Sequence, residues 1–197
     1  MLTQTAEIKG GVKKTIRAVK AYRKKSDKAM STAVRVTAYK TVKKLKKEIR
    51  QGAPGNKKFE PLTFIALRMK KRRAKGTALR YLANGVRYRV RKKAPYEIVV
   101  GWTAPGRKGA FFRKIAEKEQ TGFTENISDA LRKRIIRRGA ELGKMEGAAT
   151  PFFLRKTTTR FHTPARPIIE PFWRKYRPNM NRQIHKNFKL KMAGKRI

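Results

Sequence analysis

The stretch Arg160-Phe161-His162-Thr163-Pro164-Ala165-Arg166-Pro167-Ile168-Ile169-Glu170-Pro171-Phe172-Trp173-Arg174-Lys175-Tyr176-Arg177-Pro178 sets the frame for this chain. It holds four of the nine prolines, one of the two tryptophans and one of the two histidines, so it combines stiffness with apolar anchors. Proline fixes its own φ and pushes the residue before it toward extended geometry. Thr163 to Pro167 therefore reads as a stiff extended arm that holds Arg166 between Ala165 and Pro167. Ile168, Ile169, Phe172 and Trp173 form an apolar knot after it. Pro171 suits the first turn of a helix, where a missing N–H costs little. The arm thus feeds a C-terminal helix, with a last basic segment starting from a cap near Asn179 and carrying Ile184, Phe188 and Met192.

Working outward, the clearest β pattern is Val86, Tyr88 and Val90 alternating with Arg87, Arg89 and Arg91. Period two puts the first set on a core face and the three arginines on the other. Tyr96, Ile98, Val100 and Trp102 repeat the alternation after a turn at Lys92 to Pro95. The two runs predict an antiparallel hairpin, with further strands at Leu79 to Leu82 and within Pro151 to Phe161. Toward the N-terminus, Ile8, Val12, Ile16, Val19 and Tyr22 step by three and four. Met30, Ala33, Val34, Ala38, Val42, Leu45 and Ile49 continue that period after a break at Arg23 to Lys25, with Ser26 or Asp27 as a cap. Both stripes read as core-facing, and the opposite face is nearly all lysine. Gly52 and Pro54 stop the helix. Phe111 to Gln120 reads as another helix, as does a run from a cap at Asn126 or Ser128 to Leu142. The fold class is α+β: a small antiparallel sheet packed by a long N-terminal and a C-terminal helix. One domain spans residues 1–197, with a basic helical insertion at 123–150 and the arm and helix at 160–192.

Charge dominates the composition. Lys and Arg total 54 against 12 Asp and Glu in 197 residues, a formal net charge of +42. A free monomer repels itself, so a polyanion or a tight assembly is expected to neutralise it. Cysteine is absent, which removes disulfides, thiolate metal sites and cysteine nucleophiles. No run approaches the roughly 18 apolar residues of a membrane span, and the N-terminus lacks the apolar core of a signal peptide. The two histidines stand in no metal-ligand spacing. Glu117 and Glu119 diverge on a helix, and pairing with Lys114, Lys118 or another subunit explains them better than acid–base work. No carboxylate cluster could hold Mg²⁺ for nuclease chemistry. The chain reads as a non-enzyme without cofactor or metal. Its basic groups favour phosphate contact: Lys70, Lys71, Arg72 and Arg73 in a loop, Arg87, Arg89 and Arg91 on the sheet, and Arg132, Arg137 and Arg138 on the inserted helix. Such contacts give affinity without sequence specificity.

Three short elements carry a resemblance. Ala165-Arg166-Pro167-Ile168-Ile169-Glu170-Pro171-Phe172 resembles the A-R-P-F-x-x-P-A element of small bacteriophage neck and tail-completion proteins. That group includes the Mu-like virion-morphogenesis family and the lambda-type minor tail protein Z. Gln51-Gly52-Ala53-Pro54 resembles the G-x-P after that family's first long helix, and Glu117-Lys118-Glu119-Gln120-Thr121-Gly122 resembles its A-x-x-h-Q-x-G element. Ile168 departs from the family's usual Phe, and residues 123–150 look inserted. The resemblance implies a virion protein made in the host cytoplasm. It would act at the neck as a tail-completion, tail-terminator or head–tail joining ring, with six copies the family-like number. It also implies neck, tail-tube and connector partners, packaged DNA bound non-specifically, and no membrane. Pro164, Arg166, Pro167, Ile168, Phe172 and Trp173 would then form an assembly interface. A ribosomal or other RNA-binding protein fits size and charge equally well, and a DNA-compacting protein comes third.

Overall fold

The computed structural model describes residues 11–60, 79–91, 96–146, 155 and 157–197. Their order is α1 (Val12–Gln51), a 3-10 turn (Pro54–Asn56), a 3-10 segment (Arg80–Gly85), β1 (Arg87–Val90), β2 (Ile98–Gly101), α2 (Gly106–Thr121), β3 (Phe123–Asn126), α3 (Asp129–Glu146), β4 (Arg160–Thr163) and α4 (Ile169–Met192). The fold is α+β, as expected, with the long first and last helices packing together. The single small sheet is corrected to two ribbons, β1 with β2 and β3 with β4. Leu79 to Leu82 is not a strand but enters the 3-10 segment, with Leu79 in the left-handed region at φ 66°.

Contacts divide the chain into two compact units. The first comprises Met1–Lys40, Val90–Ile98 and Pro178–Ile197; the second comprises Thr41–Arg89 and Val99–Arg177. In the first unit, Ala29, Ala33, Val34, Thr37 and Ala38 are the buried face of α1. The Asn187 side chain donates to Thr37 Oγ1 at 3.1 Å, and Thr37 donates to the Ala33 carbonyl at 2.9 Å. The Tyr96 hydroxyl donates to the Asp27 carbonyl. Before that point α1 is uncovered among the described residues: Val12, Ile16, Val19 and Tyr22 are exposed, Val12 by 75 %. Their stripe was expected to be core, and here it is surface. Nor does α1 break at Arg23 to Lys25, because charged side chains on a solvated helix impose no backbone stop.

In the second unit, Val42, Leu45, Ile49, Leu82, Val86, Val100, Trp102, Ile168 and Phe172 are buried. Trp102 Nε1–H donates to the Leu82 carbonyl at 3.0 Å, which satisfies its one polar group inside the core. In β2 Val99 is exposed and Val100 buried, as expected, but the alternation stops at Gly101, which is buried as well. In β1 it fails at Tyr88, which is exposed together with Arg87 and Arg89. A two-stranded ribbon has no further layer to cover that position. β3 and β4 pair antiparallel from Phe123–Thr163 to Asn126–Arg160. The β-prone run ending at Phe161 therefore contributes its end to a ribbon with the inserted segment, not to the hairpin; residues 151–154 lie outside the described ones. Ser128 is the cap of α3, accepting from the Leu131 N–H at 3.3 Å.

The last helix also departs from expectation. α4 is continuous from Ile169 to Met192 with Pro178 inside it, and no new cap forms at Asn179. Pro178 removes the bond that the Arg174 carbonyl would accept. Arg174, Arg177, Pro178 and Asn179 are all exposed, so water can satisfy that carbonyl.

Candidate functional site

The arm from Pro164 to Ile168 is neither helix nor strand; it joins β4 to α4 and lies entirely in the second unit. Its geometry is set by α2. The Arg166 N–H donates to the Glu119 carbonyl at 2.7 Å, and Arg166 Nη1 donates to Glu119 Oε2 at 3.0 Å. Arg166 Nε reaches the Glu60 carbonyl at 3.3 Å. The guanidinium is 3 % exposed and the carboxylate 15 %, so this ion pair is largely screened from water. The next residue of α2, Gln120, accepts the Ile169 N–H through Oε1 at 3.1 Å, which satisfies an orphan donor at the start of α4. Gly122, at φ 73°, ends α2; a Cβ there would sit 2.8 Å from the Ala165 nitrogen and 2.9 Å from the Thr163 carbonyl oxygen. Glu119, Gln120 and Gly122 therefore each hold one part of the arm. Glu119 pairs within its own chain, in place of the expected Lys114, Lys118 or another subunit. The Lys118 ammonium lies over the Phe123 ring instead.

The turn after α1 closes the same joint. Gly55 adopts φ 64°, and a Cβ there would stand 2.2 Å from the Pro171 carbonyl oxygen. Its N–H donates to Glu48 Oε2 at 2.8 Å, and the Tyr176 hydroxyl donates to Glu48 Oε1. Lys44 Nζ lies 3.8 Å from the centre of the Tyr176 ring. Glu48 is buried, and each of its carboxyl oxygens accepts one of these hydrogen bonds. Burial, the hydrogen bond to Glu48 and its negative charge push the Tyr176 phenol up to about 12. Tyr81 is also held above the ordinary phenol value, by burial and then by the Glu119 charge. An open pocket of about 310 Å³ lies beside this joint, with Lys57, Arg174, Lys175 and Glu170 on its rim. Among the described residues no three His, Asp or Glu side chains gather as a metal site.

The six residues expected at an assembly interface are therefore used mainly within the chain. Arg166, Ile168 and Phe172 are buried, and Pro164, Pro167 and Trp173 are half-buried. A neighbour could reach only the edge formed by the last three. The expected phosphate contacts are dispersed. Lys70, Lys71, Arg72 and Arg73 lie outside the described residues. Arg87, Arg89 and Arg91 are exposed, and Arg87 Nη1 donates to the Asn84 and Val86 carbonyls at 2.8 and 3.0 Å. The Arg132 guanidinium donates to the Arg155 carbonyl at 3.0 Å and the Thr158 carbonyl at 2.7 Å. Arg137 pairs loosely with Glu141 at 3.8 Å on the exposed face of α3. Arg138 belongs to α3, but its side chain is outside the described ones. Sequence reasoning missed Glu48 and Tyr176, whose only signal was one of just two acids in a lysine-rich helix. It also missed the part of Gln120, signalled by a polar residue two before a helix-ending glycine.

No family model matches this chain, and neither a curated protein nor a solved structure is detectably similar to it. Among the described residues no helix is long and apolar enough to cross a membrane.

Proposed function

We propose that this chain is a structural virion protein of the phage neck, which completes the tail or joins tail to head by forming a ring around the DNA channel. The observation that carries the reading is the convergence of its three family-like elements. Gly52 to Pro54, Glu119 to Gly122 and Ala165 to Phe172 are far apart in sequence. The second and third meet in the second unit through the Arg166–Glu119 pair and the Gln120–Ile169 bond, and Gly55, the residue that follows the first, approaches Pro171 of the third. Residues that resemble a family's motifs thus hold one joint, which scattered chance matches need not do. Assembly, not catalysis, is the work this geometry suits. The exposed apolar stripe from Val12 to Tyr22 offers a neighbour something to bury, and a net charge of +42 suits passage of packaged DNA. Six copies is the number the resemblance implies.

Quantitative mass spectrometry of nuclease-treated, salt-washed particles from the source lysate tests the reading. Retention in tail-bearing particles at a handful of copies each is the expected result. Loss in the wash, or co-purification with ribosomes, would replace it with the RNA-binding alternative.

A further inference from the structure

Within the second unit, the lysine face of α1 and the start of β1 converge on one residue. Arg50, in the last turn of α1, places Nη2 3.5 Å from Asn84 Oδ1, while Arg87 Nη1 donates to the Asn84 carbonyl at 2.8 Å. Asn84 thus draws together two guanidinium groups from separate elements. Lys46 stands one helical turn before Arg50. Partial burial, then the charges of Arg87 and Arg50, hold its ammonium below the ordinary lysine value. Three cations have been gathered where each raises the energy of the others.

Acids are few along these elements. α1 carries no Asp or Glu from Lys28 to Lys47, and β1 carries none. Glu48 belongs to the opposite, buried face of the helix and is engaged by Tyr176 and Gly55. The row also extends beyond one anion. Lys43, Lys46, Lys47 and Arg50 recur at helical spacing, about 4.5–6 Å apart along the axis, and Arg89 follows Arg87 on the same face of β1. A chain of anions fits such a row better than a single phosphate. No aromatic residue lies on α1 between Thr41 and Arg50 to stack a base, and Tyr88, though exposed, alternates to the opposite face of β1 from Arg87 and Arg89, so backbone contact is favoured over single-strand readout.

We propose that Lys46, Arg50 and Arg87 form the centre of a ridge that binds the phosphodiester backbone of duplex nucleic acid. The choice of DNA over RNA rests on the proposed function; the ridge itself does not.

The test measures binding of the full chain to a fluorescent 30-base-pair DNA duplex across a salt series. A Lys46→Gln, Arg50→Gln, Arg87→Gln triple is compared with an Arg182→Gln, Lys186→Gln, Lys189→Gln triple that removes equal charge from exposed positions of α4. The ridge triple is expected to lower the slope of log affinity against log salt by roughly 2 to 3, with the control changing far less. Equal losses from both triples would overturn the ridge in favour of diffuse attraction. Acylation footprinting of the wild-type chain guards against misfolded variants: duplex should protect Lys46, and unchanged reactivity would overturn the proposal. Tighter binding to an RNA duplex of the same length would overturn the choice of DNA. Particle retention is a separate measurement, so failure of the ridge and failure of the neck reading are told apart.

Discussion

At Arg166 the side chain, 3 % exposed, answers the Glu60 carbonyl and the Glu119 carboxylate, while the backbone N–H answers the Glu119 carbonyl. Truncation would leave Glu119 and the Glu60 carbonyl without their donor in a poorly solvated site. Arg166→Ala is therefore expected to cost about 3 kcal/mol of stability, read by urea unfolding; a cost under about 1 kcal/mol would mean the pair is solvated. Arg166→Lys should recover part of it, since an ammonium can serve Glu119 but lacks the fork that also reaches Glu60. Tyr176 gives a pH prediction. Its folded pKa, about 12, lies above the unfolded value near 10. The folded state thus keeps a proton that the unfolded chain releases, so the contribution is complete below pH 10 and lost as pH rises toward 12. The stability gap between the wild type and Tyr176→Phe should be constant up to about pH 10 and narrow above it. A gap unchanged through pH 12 would show that the phenol is not held by Glu48.

Among the elements, α4 is the least expected from sequence and the most informative. Pro178 in a helix interior ordinarily costs up to about 3 kcal/mol, yet α4 continues through it on an exposed face. Pro178→Ala should restore the bond to the Arg174 carbonyl and raise stability by ~1–2 kcal/mol, the gain being reduced by a more flexible unfolded chain. Calorimetry decides this, and a lower melting temperature would show that the proline is fitted to a bend. The same helix shows what was legible beforehand. Proline spacing located the arm and the start of α4, and apolar periodicity located the buried face of α1 from Ala33 onward. The β3–β4 ribbon was hidden because Phe123 to Asn126 is a short strand, mostly exposed, with no alternation to read. Arg166 stood out in sequence between its prolines, but its partner did not, because a pairing across 47 residues leaves no periodic trace.

For the molecule as a whole, the excess of 54 basic over 12 acidic residues should make folding depend on screening. At low ionic strength like charges repel over tens of ångströms, and this range shrinks to about 10 Å at 0.1 M salt. The melting temperature is therefore expected to rise by several degrees between ~20 and ~300 mM sodium chloride. A short duplex should give the same rise at far lower concentration, because it stabilises only the folded ridge. A melting temperature indifferent to both would mean that the charges are already spaced widely enough not to matter.

The uncovered start of α1 has a consequence in time. Its residues from Val12 to Lys25 are all exposed, while the same helix is buried on one face from Ala29. A helical stretch of that length is marginal in water when nothing packs on it. Amide hydrogens before Asp27 should accordingly exchange with deuterium within seconds, and those between Ala33 and Ile49 over hours, along one unbroken helix. Binding of a neighbour to the apolar stripe would be visible as the fast half slowing to the pace of the other.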